Sequence, residues 1–308
     1  MSAHAGSEVQ AAAAARPVVR KRRVPRRLPT GWALVREILF YLLVFVAVAI
    51  ALFPFYWILR TSLSTNAEVA QGVGGSNGLL PAHLSFGAYT NDFTQQHFLT
   101  PLLNSAIVAL GATVVTVVVA SLAGYALARL PIRGAGAILG FILVAGFFPV
   151  LAIVGPLFLL LKELNLLDNI YPLIIIYLVY TLPIATWLLK NFFAQIPKDL
   201  EEAALVDGAT RLQALRKVVI PVAVPGVFTA GILAFILAWN DFTFAVSFLE
   251  TPAHFTAPLS IVNFGQSQFQ VFYNRIDAAV VIITIPIALL VLFAQRRIVA
   301  GLTAGSFR

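Results

Sequence analysis

The residues best suited to chemistry are concentrated in one polar segment, residues 197–221. Elsewhere, the 308-residue chain has no cysteine and four scattered histidines, so the sequence predicts neither thiolate chemistry nor a metal site. It contains no GxxxxGK[ST] phosphate-binding loop, so we expect no nucleotide or other cofactor on this chain and no enzymatic activity of its own. Its 13 Asp and Glu residues lie in loops or near the ends of long apolar runs, which disfavours a proton relay.

The segment 197–221 has the pattern of two short helices joined by a glycine turn. Pro197 and Asp199 suit a helix start, where an acidic side chain faces the positive end of the helix dipole. Gly208 suits the end of that helix. Thr210, followed three residues later by Gln213, is a capping-box pattern that predicts a second helix.

Three interpretations of this segment are consistent with its pattern. It is a passive lid on the rest of the chain, a DNA-reading helix-turn-helix, or a docking element for a partner. Its four acidic residues would repel a phosphate backbone, so we expect no nucleic-acid partner. Ala203 and Ala204 share a helix face with Leu200 and would let another backbone approach closely. Physical reasoning alone leaves the lid and the docking element open.

The composition identifies the elements that must position this segment as membrane helices. The chain is 60% hydrophobic and 11% charged, with a mean hydropathy of +0.90, whereas about a quarter of the residues of a soluble domain are charged. Runs without charge, long enough as helices to cross a bilayer, predict an all-α membrane protein with six transmembrane helices. They lie between Glu37 and Arg60 and over residues 93–128, 134–161, 169–189, 218–240 and 278–295.

The second run is too long for one crossing. We therefore expect Pro101 and Asn104 to mark its aqueous end and the helix to occupy residues 104–128. Prolines inside the other runs predict kinks, at Pro149, Pro156, Pro183 and Pro286.

The distribution of basic residues predicts the orientation. Of the 21 Lys and Arg residues, 18 fall on the side that holds both termini, which places both termini in the cytoplasm. The loops 61–100 and 241–277 then face outside. Residues 1–31 are predicted to be a disordered, basic cytoplasmic tail that contacts lipid rather than nucleic acid, and residues 32–308 the transmembrane domain.

Within segment 197–221 one gapped pattern resembles a known family motif. Its members are Glu202, Ala203, Ala204, Gly208, Val218, Ile220 and Pro221. This pattern is similar to the EAA loop of binding-protein-dependent ABC importer permeases. The stretches LFPFYWILRTSLS at 52–64, NSAIVALGATVVTVVVASLAGYALARL at 104–130 and FILAWNDFTFAV at 235–246 narrow the resemblance to the carbohydrate branch, in particular the maltose and trehalose permease subunit with six spans.

The resemblance implies a type I ABC importer permease fold in the bacterial plasma (inner) membrane. It also implies an assembly with a second permease subunit, two ATPase subunits that carry ATP and Mg, and an extracytoplasmic sugar-binding protein. The expected function is alternating access, with sugar import driven by the ATPases through the EAA loop. The residues expected to couple to the ATPase are Glu201, Glu202, Ala203, Ala204, Asp207 and Gly208.

Two alternatives to a sugar importer stay open. One is a permease of the same superfamily that carries glycerol phosphate or a polyol. The other is a membrane scaffold or channel that transports nothing by itself, for which an EAA loop would have no use.

A sugar pathway needs aromatic faces that stack on pyranose rings and polar groups that pair with hydroxyls. Candidate residues are Phe147, Phe148, Tyr177, Tyr180, Trp239, Asn240 and Asp241. The alternative for each aromatic residue is packing within the bundle or a belt at the membrane interface. For Asn240 and Asp241 the alternative is capping of the break after a helix.

The loop before the last run is rich in aromatic and amide side chains, the mixture expected of a recognition surface. We expect Phe264, Gln266, Gln268 and Phe269 to contact the sugar-binding protein. The alternative is a loop that packs on its own bundle.

The orientation can be tested by labelling single cysteines, since the chain has none of its own. Cysteines placed at Ser76 and Gln266 are expected to react with a membrane-impermeant thiol reagent in intact cells, because both loops face outside. Protection of either position until the membrane is permeabilised would contradict the orientation.

Overall fold

The computed structural model describes residues 31–70, 79–264 and 271–303. These residues form helices joined by short loops, as the all-α prediction requires. The helices are α1 (Gly31–Ser62), α2 (Asn66–Ala70), α3 (Gly87–Thr94), α4 (Leu99–Arg129), α5 (Ala135–Gly146), α6 (Val150–Glu163), α7 (Tyr171–Ile176), α8 (Leu178–Gln195), α9 (Lys198–Val206), α10 (Arg211–Ala214), a π-helix (Leu215–Val219), α11 (Ile220–Val222), α12 (Val224–Trp239), α13 (Thr243–Phe248), α14 (Ala257–Phe264) and α15 (Tyr273–Thr303). The predicted tail, 1–31, lies outside the described residues except for Gly31.

The chain separates into two compact units, residues 1–54 and 55–308. The described part of the first unit is α1 as far as Pro54, which lies within that helix. The second unit holds the end of α1 and all the other helices.

Four straight stretches are long and apolar enough to cross a membrane. They are Leu34–Ser62, Leu99–Arg129, Tyr171–Gln195 and Tyr273–Gln295. Two further helix pairs qualify only if each bent pair is one crossing, Ala135–Gly146 with Val150–Glu163 and Arg211–Val222 with Val224–Trp239. The described residues therefore hold four to six crossings.

The expected start of the helix within the second run is wrong by five residues. Helix α4 begins at Leu99, not at Asn104, and Pro101 lies inside its first turn. Proline is tolerated there because the N–H groups of a first helical turn have no partner within the helix. Asn104 is nevertheless close to an end of the bundle, since its side-chain amide reaches the loop that contains Ala253.

Two of the apolar runs are sharply bent. The third run breaks at Phe147–Pro149, where α5 and α6 meet at 83°. Pro149 precedes the first residue of α6, as its lack of a backbone donor favours. The fifth run breaks at Ala223, where the axis turns by 86°. Pro156, Pro183 and Pro286 lie inside helices and not at these breaks.

Helices α4 and α8 form the central pair of the bundle. At their closest approach a Cβ on Gly124 would lie 2.9 Å from the backbone nitrogen of Lys190 and 3.2 Å from Cβ of Leu189. Further along the pair, the hydroxyls of Thr116 and Thr181 are buried and hydrogen-bonded at 2.7 Å. Small and short polar residues therefore bring two backbones together, as is typical of helix contacts in membranes.

Two clusters of buried apolar side chains fill the bundle. One includes Tyr125, Phe193 and Leu215, at the end that carries Arg129 and α9, which we call the basic end. The other includes Phe98 and Phe244, at the opposite end.

Polar contacts tie the loops together at the opposite end. The Asn104 amide donates to the carbonyls of Ala253 (2.9 Å) and Phe255 (3.0 Å). Asp168 accepts the backbone N–H groups of Glu250 and Thr251, each at 2.9 Å. Partial burial would raise the pKa of Asp168, but the hydrogen bonds from Thr251, Glu250 and His254 outweigh that effect and lower the pKa.

The opposite end also contains buried charges. Arg60 pairs with Glu68 at 3.3 Å, and both side chains are buried. Asp92 is fully buried. Its burial raises the pKa of the carboxyl to about 7, although the charge of Arg275 acts in the other direction.

The contact at Gly124 can be tested by adding one methyl group. Because the Cβ of Gly124→Ala would overlap the backbone of Lys190, we expect this variant to unfold at a lower temperature in detergent, with a loss of about 1–3 kcal/mol. Gly140→Ala is the matched control, since a Cβ there has no neighbour within 4 Å. Equal melting temperatures for Gly124→Ala and the wild type would contradict the close approach.

Candidate functional site

The EAA loop, residues 197–221, has the helix, turn, helix geometry that its sequence predicts. Helix α9 ends at Val206, and Gly208 follows with a φ of 87°, in the left-handed region where a Cβ is unfavourable. The capping box is formed: Gln213 N–H donates to Thr210 Oγ1 (3.3 Å), and Thr210 N–H donates to Gln213 Oε1 (2.8 Å). The turn is therefore defined by its own residues.

Most of the expected coupling residues lie on the surface of this loop. Glu202, Ala203, Asp207 and Gly208 are exposed, and Ala204 is half-buried. Apart from Gly208 itself and its two neighbours in the chain, no heavy atom of the described residues lies within 4 Å of a Cβ built on Gly208. The turn is consequently open to contact from outside the chain.

Two apolar side chains add to this surface. Val206 is 87% exposed and Leu212 is 63% exposed, one on each side of the glycine turn. Neither residue was identified from the sequence, although their positions beside Gly208 were a usable signal.

Glu201 does not share this surface. It is buried at the basic end, where it accepts a hydrogen bond from the hydroxyl of Tyr125. Its other carboxylate oxygen lies 3.5 Å from Nε of Arg129, and both charged side chains are buried. Arg129 also donates to the backbone carbonyl of Ile196. Glu201 was expected to couple to the ATPase together with Glu202, but the structure buries it away from the exposed residues of the loop.

The second half of the loop is not a uniform α-helix. After α10 the backbone forms the π-helix Leu215–Val219, in which Leu215 and Val219 are buried. The capping-box pattern of Thr210 and Gln213 had predicted an ordinary second helix. A π-helical turn is wider than an α-helical turn and frequently occurs at functional sites.

Three of the expected sugar-pathway residues line one cavity. Tyr180, Asn240 and Asp241 border a space of about 420 Å³. The lining contains no Lys or Arg; its other residues are Val150, Ile236, Leu237, Phe242 and Thr243. The hydroxyl of Tyr180 is buried and has no hydrogen-bond partner among the described residues. This cavity can offer an aromatic ring, an amide and a carboxyl group to a small polar molecule.

Asn240 and Asp241 also cap helices, which was the structural alternative for both. The Asn240 amide donates to the carbonyl of Ile236 at 2.8 Å. Asp241 Oδ1 accepts the N–H groups of Phe244 (3.2 Å) and Ala245 (3.3 Å). Burial raises the pKa of the Asp241 carboxyl, while the hydrogen bonds that it accepts act in the opposite direction.

The other four candidates do not line this cavity. Tyr177 and Trp239 are buried in the core, and the Trp239 indole donates to the carbonyl of Ile283 at 3.3 Å. Phe147 and Phe148 lie at the bend between α5 and α6 and are 86% and 54% exposed. Their exposure fits a contact with lipid or with another chain better than a contact with a ligand inside this bundle.

Of the four residues expected to contact a binding protein, the structure describes only Phe264. Its ring is buried against Phe98, with centroids 4.6 Å apart, so it packs on its own bundle. Phe264 also borders a cavity of about 630 Å³ at the opposite end. Gln266, Gln268 and Phe269 lie outside the described residues.

Across residues 31–70, 79–264 and 271–303, no group of three His, Cys, Asp or Glu side chains is placed to hold a metal ion.

Tyr125 and Arg129, which contact Glu201, were not identified as site residues from the sequence. Tyr125 lies in an apolar run, and Arg129 was counted only among the basic residues that set the orientation. Each is more than 70 residues from Glu201 in the chain, and no spacing signal connects them.

Comparison with known proteins gives a consistent result. Residues 116–303 match the family described as binding-protein-dependent transport system inner membrane component. The chain is 43% identical over 264 residues to the trehalose transport system permease protein SugB of Mycobacterium tuberculosis, covering 85% of this chain and 94% of that protein. It is 43% identical over 257 residues to the sulfoquinovosyl glycerol transport system permease protein SmoH of Agrobacterium fabrum, covering 83% and 89%.

A solved structure has the same fold. It is a chain of a bacterial ABC transporter involved in the import of the acidic polysaccharide alginate, with a TM-score of 0.74 and 26% identity. The match covers 88% of this chain and 99% of that chain. The match to the family model, the two relatives and the apolar helices together show that this chain belongs to the family of binding-protein-dependent transport system inner membrane components and is a multi-pass ABC transporter permease of the bacterial inner membrane.

Proposed function

We propose that this chain is the transmembrane permease subunit of an ATP-driven importer of a disaccharide or oligosaccharide such as trehalose or maltose. The observation that carries the proposal is the EAA loop, whose exposed turn at Gly208 is flanked by the exposed side chains of Glu202 and Val206. Such a loop suits a separate ATPase subunit as its partner.

In this proposal the chain crosses the membrane six times, each bent helix pair being one crossing. Both termini and the EAA loop are cytoplasmic, because the basic residues are concentrated on that side. The opposite end then faces the extracytoplasmic sugar-binding protein. A second permease subunit completes the pathway, and two ATPase subunits bind ATP and Mg.

In this proposal the EAA loop passes the motion of the ATPase on to the helices of the permease. Val206 and Leu212 provide an apolar contact, Glu202 and Asp207 provide charges, and the bare backbone at Gly208 permits close approach. When ATP brings the two ATPases together, the docked loops move with them. The cavity of the permease then opens toward the outside of the membrane.

Sugar recognition is assigned to the cavity lined by Tyr180, Asn240 and Asp241. A carboxyl group and the absence of a basic residue from this lining favour a neutral sugar over an anionic solute such as glycerol phosphate. The likeness to SugB supports a disaccharide. The equal identity to SmoH makes a sulfoquinovosyl glycerol the second candidate, although its anionic sulfonate suits this lining less well than a neutral disaccharide.

Contact with the binding protein is assigned to the loop that contains Gln266, Gln268 and Phe269. Its aromatic and amide composition supports this assignment. Phe264, being buried, would not touch the partner.

The hydroxyl of Tyr180 provides a test of the cavity. Since it has no partner among the described residues, a sugar hydroxyl is expected to pair with it. Removing the pair in Tyr180→Phe should lower uptake at limiting sugar concentration by roughly five- to ten-fold. The measurement is uptake of radiolabelled trehalose and maltose into proteoliposomes that contain the complete transporter. Tyr171→Phe, an exposed tyrosine of the same span, is the control, and equal uptake by both variants would count against the assignment.

Gly208 provides a test of docking. In Gly208→Val a Cβ strains the left-handed turn by about 1 kcal/mol or more and fills the space that an ATPase backbone would occupy. We expect normal membrane insertion but loss of uptake, with the ATPase either released or hydrolysing ATP without transport. Glu202→Lys should have a milder effect of the same kind, because it reverses one exposed charge.

Gly134 supplies the matched control for Gly208. It has a φ of 77°, and a Cβ there also meets no heavy atom within 4 Å, but it precedes α5 and lies outside the EAA loop. Gly134→Val carries the same backbone strain and should keep the ATPase bound. Wild-type transport by Gly208→Val with the ATPase still bound would refute the docking role.

A further inference from the structure

A buried polar cluster connects the EAA loop to the central helix α4. We call it the clamp: Tyr125 and Arg129 at the end of α4, and Ile196 and Glu201 at the start of the EAA loop. Tyr125 donates to one oxygen of Glu201, and Arg129 lies at ion-pair distance from the other. Arg129 also donates to the Ile196 carbonyl, so the loop is held at two points.

Burial makes these contacts interdependent. The side chains of Arg129 and Glu201 are 3% and 8% exposed, so water cannot replace a lost partner. A buried charge without its partner is strongly unfavourable. The Arg129 guanidinium and the Glu201 carboxylate are therefore expected to stay together whenever the loop moves.

The helices behind the clamp are also firmly joined. Just before Tyr125, Gly124 brings α4 into contact with the backbone of α8 at Lys190. Helix α8 continues through Ile196 and Pro197 into α9. Helices α4, α8 and α9 are thus linked by one backbone contact, one covalent connection and the clamp.

The other side of the EAA loop is connected differently. It returns to the bundle through the π-helix Leu215–Val219 and the 86° break at Ala223. Among the described residues, no side-chain ion pair or hydrogen bond joins residues 211–222 to another helix of the bundle. Leu215 and Val219 of the π-helix are buried in the same apolar cluster as Tyr125, so this side is held by non-directional apolar packing. Such packing fixes the direction of a helix less strictly than the buried ion pair and hydrogen bonds of the clamp.

We propose that the clamp makes α9 move as one body with α4 and α8, while the backbone bends at the π-helix on the other side of the EAA loop. Tyr125, Arg129 and Glu201 are then positioning residues, and they direct the displacement of a docked ATPase into the central helix pair. This inference rests on the proposed function, because it takes the EAA loop to be the ATPase contact. It assigns Glu201 to transmission and leaves docking to the exposed residues.

The test separates transmission from docking. Glu201→Gln and Tyr125→Phe are purified as the complete transporter, and three quantities are measured: the ATPase retained, ATP hydrolysed and sugar transported. We expect the ATPase to stay bound, because the exposed surface is unchanged. The number of sugars transported per ATP should fall by roughly ten-fold, since Glu201→Gln removes the buried charge that pairs with Arg129 and Tyr125→Phe removes the hydrogen bond to Glu201. Asp199→Asn, an exposed acid of the same helix, is the control and should keep the wild-type ratio.

A chemical cross-link provides a second, independent arm. In Arg129→Cys/Glu201→Cys the clamp is absent and the ratio should again be low. A short bifunctional thiol reagent, which has no native cysteine to attack in this chain, then replaces the clamp with a covalent bridge. We expect the bridge to restore a large part of the transport per ATP, an effect that a merely structural role would not produce.

The possible outcomes have distinct meanings. A wild-type ratio in Glu201→Gln, or a cross-link that lowers transport further, would overturn the positioning role. Loss of the ATPase from Glu201→Gln would place Glu201 in the docking surface, which overturns this inference but not the proposed function. A wild-type complex that retains no ATPase would overturn both.

Discussion

The close contact between α4 and α8 at Gly124 is the constraint on which the rest of the bundle depends. Because Gly124 has no side chain, the backbones of the two helices approach closely beside Leu189 and Lys190. The buried hydroxyl pair of Thr116 and Thr181 joins the same helices further along. Each apolar cluster packs around this pair, and the clamp forms only because the ends of the two helices are held together.

The two ends of the bundle use polar groups for different purposes. At the opposite end, Asn104 and Asp168 bind backbone groups of neighbouring loops and hold those loops in place. At the basic end, Glu201 and Arg129 bind across two helices and leave the glycine turn of the EAA loop exposed. An importer needs both arrangements, since one end must present a stable surface and the other must transmit a displacement.

The sequence predicted a large part of the fold and of the local geometry of the EAA loop. Long runs without charge identify membrane helices because a bilayer cannot solvate charges or unpaired backbone groups. The Gly208 turn and the Thr210 capping box were predictable because they depend on neighbouring residues alone. The start of α4 was misplaced because proline is a poor boundary signal in a first turn, and the π-helix was not expected because its residues also suit an α-helix.

The sequence by itself determined the membrane class, the all-helical architecture and the family, because hydropathy, local capping and a spaced motif are properties of single segments. Only the tertiary structure decided which polar residues share a site. It placed Glu201 against Tyr125 and Arg129, and it brought Tyr180 to Asn240 and Asp241 while burying Tyr177 and Trp239 in the core. The physical reason is that these contacts join residues far apart in the chain, and helix packing alone selects which sides of two helices meet.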